Sequence, residues 1–99
     1  MVSQLRIYTI NRGMMDSWLK LFEEELRPLH ASLGIPVEHT WVNAARTEFI
    51  WVRGFNSAEE IADKEAAYFA SPGRKAIGDR PQTHIAKIEV RVVEAVPAA

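Results

Sequence analysis

The stretch Phe49-Ile50-Trp51-Val52 constrains the fold most, because it is apolar on both sides of a two-residue repeat. Successive strand residues point to opposite faces, so such a run needs cover above and below. The segment from Val2 to Ile10 shares this property. Ser3, Leu5, Ile7 and Thr9 face one way, and Gln4, Arg6, Tyr8 and Ile10 face the other. Its β-branched and aromatic residues predict a strand, ended by the turn Asn11-Arg12-Gly13.

Between these strands, Met14 to Leu33 predicts a helix. Met15, Trp18, Leu19, Phe22, Leu26, Leu29 and Leu33 form one stripe at three- and four-residue steps. Asp16 suits the first turn of the helix dipole, and Gly34 suits the residue past its end. Pro28 removes the hydrogen bond to the Glu24 carbonyl and is expected to bend the helix. Ile35 to Asn43 reads as a second strand, with Val37, His39 and Trp41 on one face and Glu38, Thr40 and Val42 on the other. After the turn Ala44-Ala45-Arg46, Thr47 to Phe55 forms the third.

Ser57-Ala58-Glu59-Glu60 predicts a capping box that opens a helix running to about Ala70. A short helical piece follows, capped by Ser71 with Pro72 in its first position and closing near Gly78. His84 to Val96 is expected to be the last strand, and Pro97-Ala98-Ala99 a frayed end. The order is βαββαβ, a ferredoxin-like α+β fold spanning residues 1–99 as one domain. It predicts a four-stranded antiparallel sheet with strands one and three central and two helices on one face. The other apolar face then needs a partner. A homodimer closing two sheets into a dimeric α+β barrel is the expected solution.

Composition narrows the function classes. The formal net charge of −1 supplies no bulk attraction for nucleic acid or an anionic membrane. No apolar run is long enough to cross a bilayer. The absence of cysteine removes disulfides and thiolate metal sites and fits a cytoplasmic location. Met1-Val2-Ser3-Gln4-Leu5-Arg6 carries no apolar stretch after a basic start, so no signal peptide is expected. His30, His39 and His84 lack metal-ligand spacing, and there is no nucleophile elbow or glycine-rich phosphate loop, so neither a metal nor a cofactor is expected.

Arg6 and Tyr8 share a face of strand one, and Phe49, Trp51 and Arg53 share a face of strand three. His39 and Trp41 share a face of strand two. Brought together, Arg6, Tyr8, Trp41, Phe49, Trp51 and Arg53 give a cavity with an aromatic wall and guanidinium donors. Such a cavity suits a small anionic or carbonyl-bearing ligand. The competing reading makes the aromatics core and pairs the arginines with strand carboxylates such as Glu48 or Glu89. Glu65 lies between Ile61, Ala62 and Phe69 on the helix face that meets the sheet. A carboxylate there either pairs with an arginine or has a raised pKa. It is a candidate general base or ligand anchor, unless a slight helix rotation leaves it at the rim. His39, beside Trp41, is the other candidate for proton transfer.

Two stretches carry a family resemblance. Leu5-Arg6-Ile7-Tyr8-Thr9-Ile10, a glycine turn and a long amphipathic helix resemble the opening of NIPSNAP-family domains. Phe49-Ile50-Trp51-Val52-Arg53-Gly54-Phe55, an acidic helix and Tyr68-Phe69-Ala70-Ser71-Pro72 resemble their second half. The similarity covers nearly the whole chain, and the Trp-x-Arg-Gly-Phe run is its most specific part. It implies a dimeric α+β barrel but no defined activity. Members often carry a bulky aromatic a few residues after the Pro72 position, where this chain has Gly73-Arg74-Lys75. Related barrels include cofactor-free antibiotic-biosynthesis-type monooxygenases and haem-degrading enzymes, and this chain holds no motif that selects either.

Three functions stay open on these grounds. The first is a dimeric barrel that binds a small molecule, with cofactor-independent monooxygenase or isomerase chemistry as its catalytic form. In that form Arg6 or Arg53 stabilises an oxyanion and His39 or Glu65 moves a proton. The second is a non-catalytic interaction module, which a core filled with side chains would favour. The third is an RNA-binding module, suggested by the element order and by Tyr8, Phe49 and Trp51, and opposed by the lack of basic excess.

Overall fold

A computed structural model describes residues 1–97 of the chain. The expected fray at Pro97-Ala98-Ala99 falls largely outside the described residues. Strands β1 (Val2–Ile10), β2 (Val37–Val42), β3 (Glu48–Phe55) and β4 (Ile85–Val93) form one antiparallel sheet in the order β2-β3-β1-β4. The central pair is β1 and β3, as the element order requires.

Directly paired residues of neighbouring strands share a face. Gln4 faces Arg53, Arg6 faces Trp51 and Tyr8 faces Phe49 across β1 and β3. These even positions of β1 and odd positions of β3 are the helix-covered side. Leu5, Ile7, Ile50 and Val52 lie on the other side and are only partly buried. The principal dimensions are 40 × 36 × 19 Å. A thickness of 19 Å leaves room for one sheet and one helical layer and no third.

The helical layer begins with a continuous rod. It comprises α1 (Met15–Leu21), a π-helical segment (Phe22–Leu26) and α2 (Arg27–Ser32). The predicted stripe is real: Trp18, Phe22 and Leu26 are buried against Tyr8, Phe49 and Trp51. The disturbance expected from Pro28 takes the form of the widened turn just before it. There the Arg27 N–H bonds to the Phe22 carbonyl five residues back. Gly34 adopts φ +71°, a left-handed conformation that terminates the rod.

The second helical region departs from expectation in two places. The capping box does not form. Helix α3 (Glu60–Ala70) starts later, and the Glu60 carboxylate accepts from the Asn56 backbone N–H at 2.8 Å instead of closing on Ser57. The face of α3 is also rotated: Tyr68 is buried, while Ala62 and Phe69 are exposed. Ser71 does cap α4 (Pro72–Ile77), accepting from the Arg74 N–H at 3.1 Å and donating to the Tyr68 carbonyl at 2.7 Å. Gly73 lets α4 approach α2 closely, since a Cβ there would lie 2.7 Å from Leu29 Cδ1.

A further short helix, α5 (Arg80–His84), precedes the last strand, which begins at Ile85, one residue after the expected His84, and ends at Val93 rather than Val96. His84 explains the helix. Its Nδ1–H donates to the Arg80 carbonyl at 2.7 Å, so Nε2 is free to accept from the Ser17 hydroxyl at 2.7 Å. That pair ties α5 to α1.

Candidate functional site

A cavity of about 370 Å³ opens between the sheet and the helices of one chain. Its sheet wall holds Arg6, Tyr8, Trp51 and Arg53. The rod supplies Trp18, Leu26 and His30, α3 supplies Tyr68 and Phe69, and α4 supplies Arg74. Pro81, Gln82, Ile85 and Ile88 close the remaining side. The volume falls within the range of small-molecule sites, and the wall is largely apolar.

The polar groups centre on Gln4. Its Oε1 accepts from Arg53 Nε at 2.6 Å and from Arg6 Nη1 at 3.0 Å. Its Nε2 donates to Glu65 Oε1 at 2.9 Å. One neutral amide oxygen thus binds two guanidinium groups. Arg6 Nε also donates to the Tyr8 hydroxyl at 2.9 Å. The Arg6 and Arg53 guanidinium carbons lie 5.8 and 5.5 Å from the Trp51 ring centre. Burial and the neighbouring Arg6 charge lower the pKa of Arg53, and Glu65, 3.6 Å from Arg53 Nη2, works the other way.

His30 completes this network. Its Nδ1 lies 2.8 Å from the Leu26 carbonyl, which can only accept, so Nδ1 carries the proton. Nε2 therefore offers its lone pair to Arg53 Nη1 at 3.1 Å. Burial, reinforced by the charges of Arg53 and Arg6, pushes the His30 pKa down to about 4 against the hydrogen bond to Leu26. The imidazole is neutral at pH 7, and its free nitrogen is already occupied. Burial raises the Tyr68 phenol, which stays protonated.

Three buried donors have no partner among the described residues: Trp18 Nε1, Trp51 Nε1 and Arg74 Nε. All three belong to residues that line this cavity. The lining also holds the guanidinium groups of Arg6, Arg53 and Arg74, and the described ion pairs match them with a single carboxylate, Glu65 on Arg53. The site is short of negative charge and short of acceptors. Among the described residues no cluster of three or more His, Asp or Glu could hold a metal ion.

Of the residues expected from sequence, the structure brings together Arg6, Tyr8, Trp51 and Arg53, with Glu65 at the rim paired to Arg53. Phe49 packs below them in the core, 1% exposed. Trp41 and His39 do not join them. A bulge at Glu38 breaks the alternation of β2, so Val37 shares the face of Arg53 while His39 pairs with Val52 and Trp41 with Ile50 on the opposite face. There the two rings stack, with centres 5.4 Å apart. The cavity also lies within one chain, between sheet and helices, and not in the interior of a barrel made by two sheets.

Among the residues of the site that escaped the sequence reading are Gln4, His30, Tyr68 and Arg74. Gln4 was visible as a polar residue on the same strand face as Arg6. His30 extends the i, i+4 row of Trp18, Phe22 and Leu26. Tyr68 follows Ile61 by seven and Glu65 by three positions, which places it on their face. Arg74 had no signal, because its position depends on how α4 docks.

The NIPSNAP family model matches residues 3–99. No curated protein matches the chain. Among solved structures, a NIPSNAP family protein from Agrobacterium tumefaciens is 23% identical with a TM-score of 0.88, over 96% of this chain and 92% of that one. An uncharacterized NIPSNAP domain protein from Burkholderia xenovorans is 20% identical with a TM-score of 0.85, over 100% and 96%. An antibiotic biosynthesis monooxygenase is 15% identical with a TM-score of 0.71, over 98% and 100%. At these identities the likeness is one of fold.

Proposed function

The chain belongs to the NIPSNAP family, whose match spans residues 3–99, and from that premise we propose that it is a cytoplasmic homodimer in which each chain binds a small anionic or carbonyl-bearing ligand. One observation carries the ligand: Arg6 and Arg53 converge on a single neutral oxygen, Gln4 Oε1, beside a cavity with unpartnered N–H donors. Two like charges held in partly dehydrated surroundings repel each other, and an entering carboxylate or enolate relieves that repulsion. The aromatic rings of Trp51, Tyr8 and Tyr68 favour a planar body.

The homodimer rests on the uncovered sheet face, where Leu5, Ile7, Ile50 and Val52 are partly buried and Trp41 is 49% exposed. The absence of cysteine supports the cytoplasm. A catalytic form needs a base, and of the two sequence candidates only Glu65 lies on the side of the cavity, at its rim and paired to Arg53 and Gln4. His30 is neutral with its lone pair taken by Arg53, and His39 lies on the other face of the sheet.

Titration calorimetry with benzoate and with methyl benzoate tests the reading. Benzoate is expected to bind and its ester not. Arg6→Gln is expected to weaken benzoate about tenfold, as the loss of one charge-assisted hydrogen bond does. Equal binding of acid and ester, or an Arg6→Gln variant as tight as the parent, overturns it.

A further inference from the structure

The two layers of the cavity carry cations independently. On the sheet side, Arg6 and Arg53 are locked to each other through Gln4. Arg74 comes from α4 on the helical side, 7% exposed and with no carboxylate partner among the described residues. Its own ties are to neutral oxygens. Nη1 donates to the Gly78 carbonyl at 2.6 Å, and with the Gln82 amide turned to satisfy both its ends, Nη2 donates to Gln82 at 3.1 Å. These bonds and the rings of Tyr68 and Phe69, 5.9 and 5.6 Å from the guanidinium carbon, hold the fork in place. Two of its five N–H groups are used in this way, and Nε–H is buried without a partner. A dehydrated guanidinium with a spare donor and no counter-charge is stable when something else supplies the negative oxygen.

Resting on the anion-binding reading above, we infer that the ligand is two-headed: a planar conjugated acid with oxygen acceptors at both ends. One head is an anion bound at the Arg6 and Arg53 pair, and the other is a carboxylate or enolate oxygen bound at the Arg74 guanidinium, which lines the same cavity. The body between them lies against Trp51 and Tyr68. The arrangement is a specificity device, since a one-headed acid leaves one cation buried and unpaired.

Calorimetry with terephthalate, its monomethyl ester and its dimethyl ester tests this. Terephthalate is expected to bind about tenfold tighter than the monoester, and the dimethyl ester not to bind, as befits one charge-assisted bond gained at each head. Arg74→Gln is expected to narrow the gap between diacid and monoester to under about threefold, while Arg6→Gln weakens both acids. Arg74→Lys keeps the charge without the Nε fork, and guards against a Gln variant that fails to fold; it too is expected to narrow the gap. Equal affinity of diacid and monoester in the parent protein, or a gap that survives both Arg74 substitutions, sinks the two-headed ligand and leaves the anion site standing. Failure of both acids to bind sinks the anion site itself.

Discussion

At the scale of single residues, Gln4 and His30 are polar groups whose burial is matched by partners on both ends. Gln4 is 4% exposed and uses both ends of its amide, between two arginines and Glu65. His30 is 1% exposed and uses both ring nitrogens. Its folded pKa of about 4 against an ordinary 6.5 makes stability depend on pH. Between these values the unfolded chain binds the proton and the folded chain does not, so stability is full above pH 6.5 and falls as pH drops towards 4. The loss attributable to His30 is up to about 3 kcal/mol. Urea unfolding at pH 7 and pH 5 checks it. His30→Gln cannot take up a proton and is expected to flatten this slope, and an unchanged slope in that variant counts against the assignment.

At the scale of elements, the hinge between α3 and α4 governs the site. Ser71 closes one helix and opens the next with a single hydroxyl, which donates to Tyr68 and accepts from the Arg74 N–H. Ser71→Ala is expected to cost about 1 kcal/mol, typical of a lost cap. Because Tyr68 and Arg74 both line the cavity, the same change is expected to weaken terephthalate binding more than a distant change of equal stability cost. Thermal unfolding and calorimetry on the one variant check the two effects separately. The rod formed by α1, the π segment and α2 makes the complementary point. Its buried row was legible in the sequence, whereas the widened turn before Pro28 was not, because hydrophobic spacing does not count the extra backbone residue of a π turn.

At the scale of the whole molecule, the slab is 19 Å thick and one sheet face carries no layer. A second copy covering that face buries Ile50 and Val52, and sedimentation velocity is expected to show a dimer. Val52→Lys, directed at the uncovered face, is expected to shift the protein to monomer while leaving the intrachain cavity able to bind benzoate. A parent protein that stays monomeric at high concentration overturns the dimer without touching the cavity.

Sequence alone determined the element order, the central pair of strands and the grouping of Arg6, Tyr8, Trp51 and Arg53 on one face. Strand alternation and helical periodicity are local properties, repeated over many residues, and they average out individual exceptions. The tertiary structure decided everything that turns on one residue of register or a few degrees of rotation. The bulge at Glu38 sent His39 and Trp41 to the wrong side, and the rotation of α3 exchanged Phe69 for Tyr68. It also decided where the cavity lies and that Arg74 joins it. A short helix carries too few residues for its pattern to fix a docking position; the close approach of Gly73 to Leu29 is visible only in the tertiary structure.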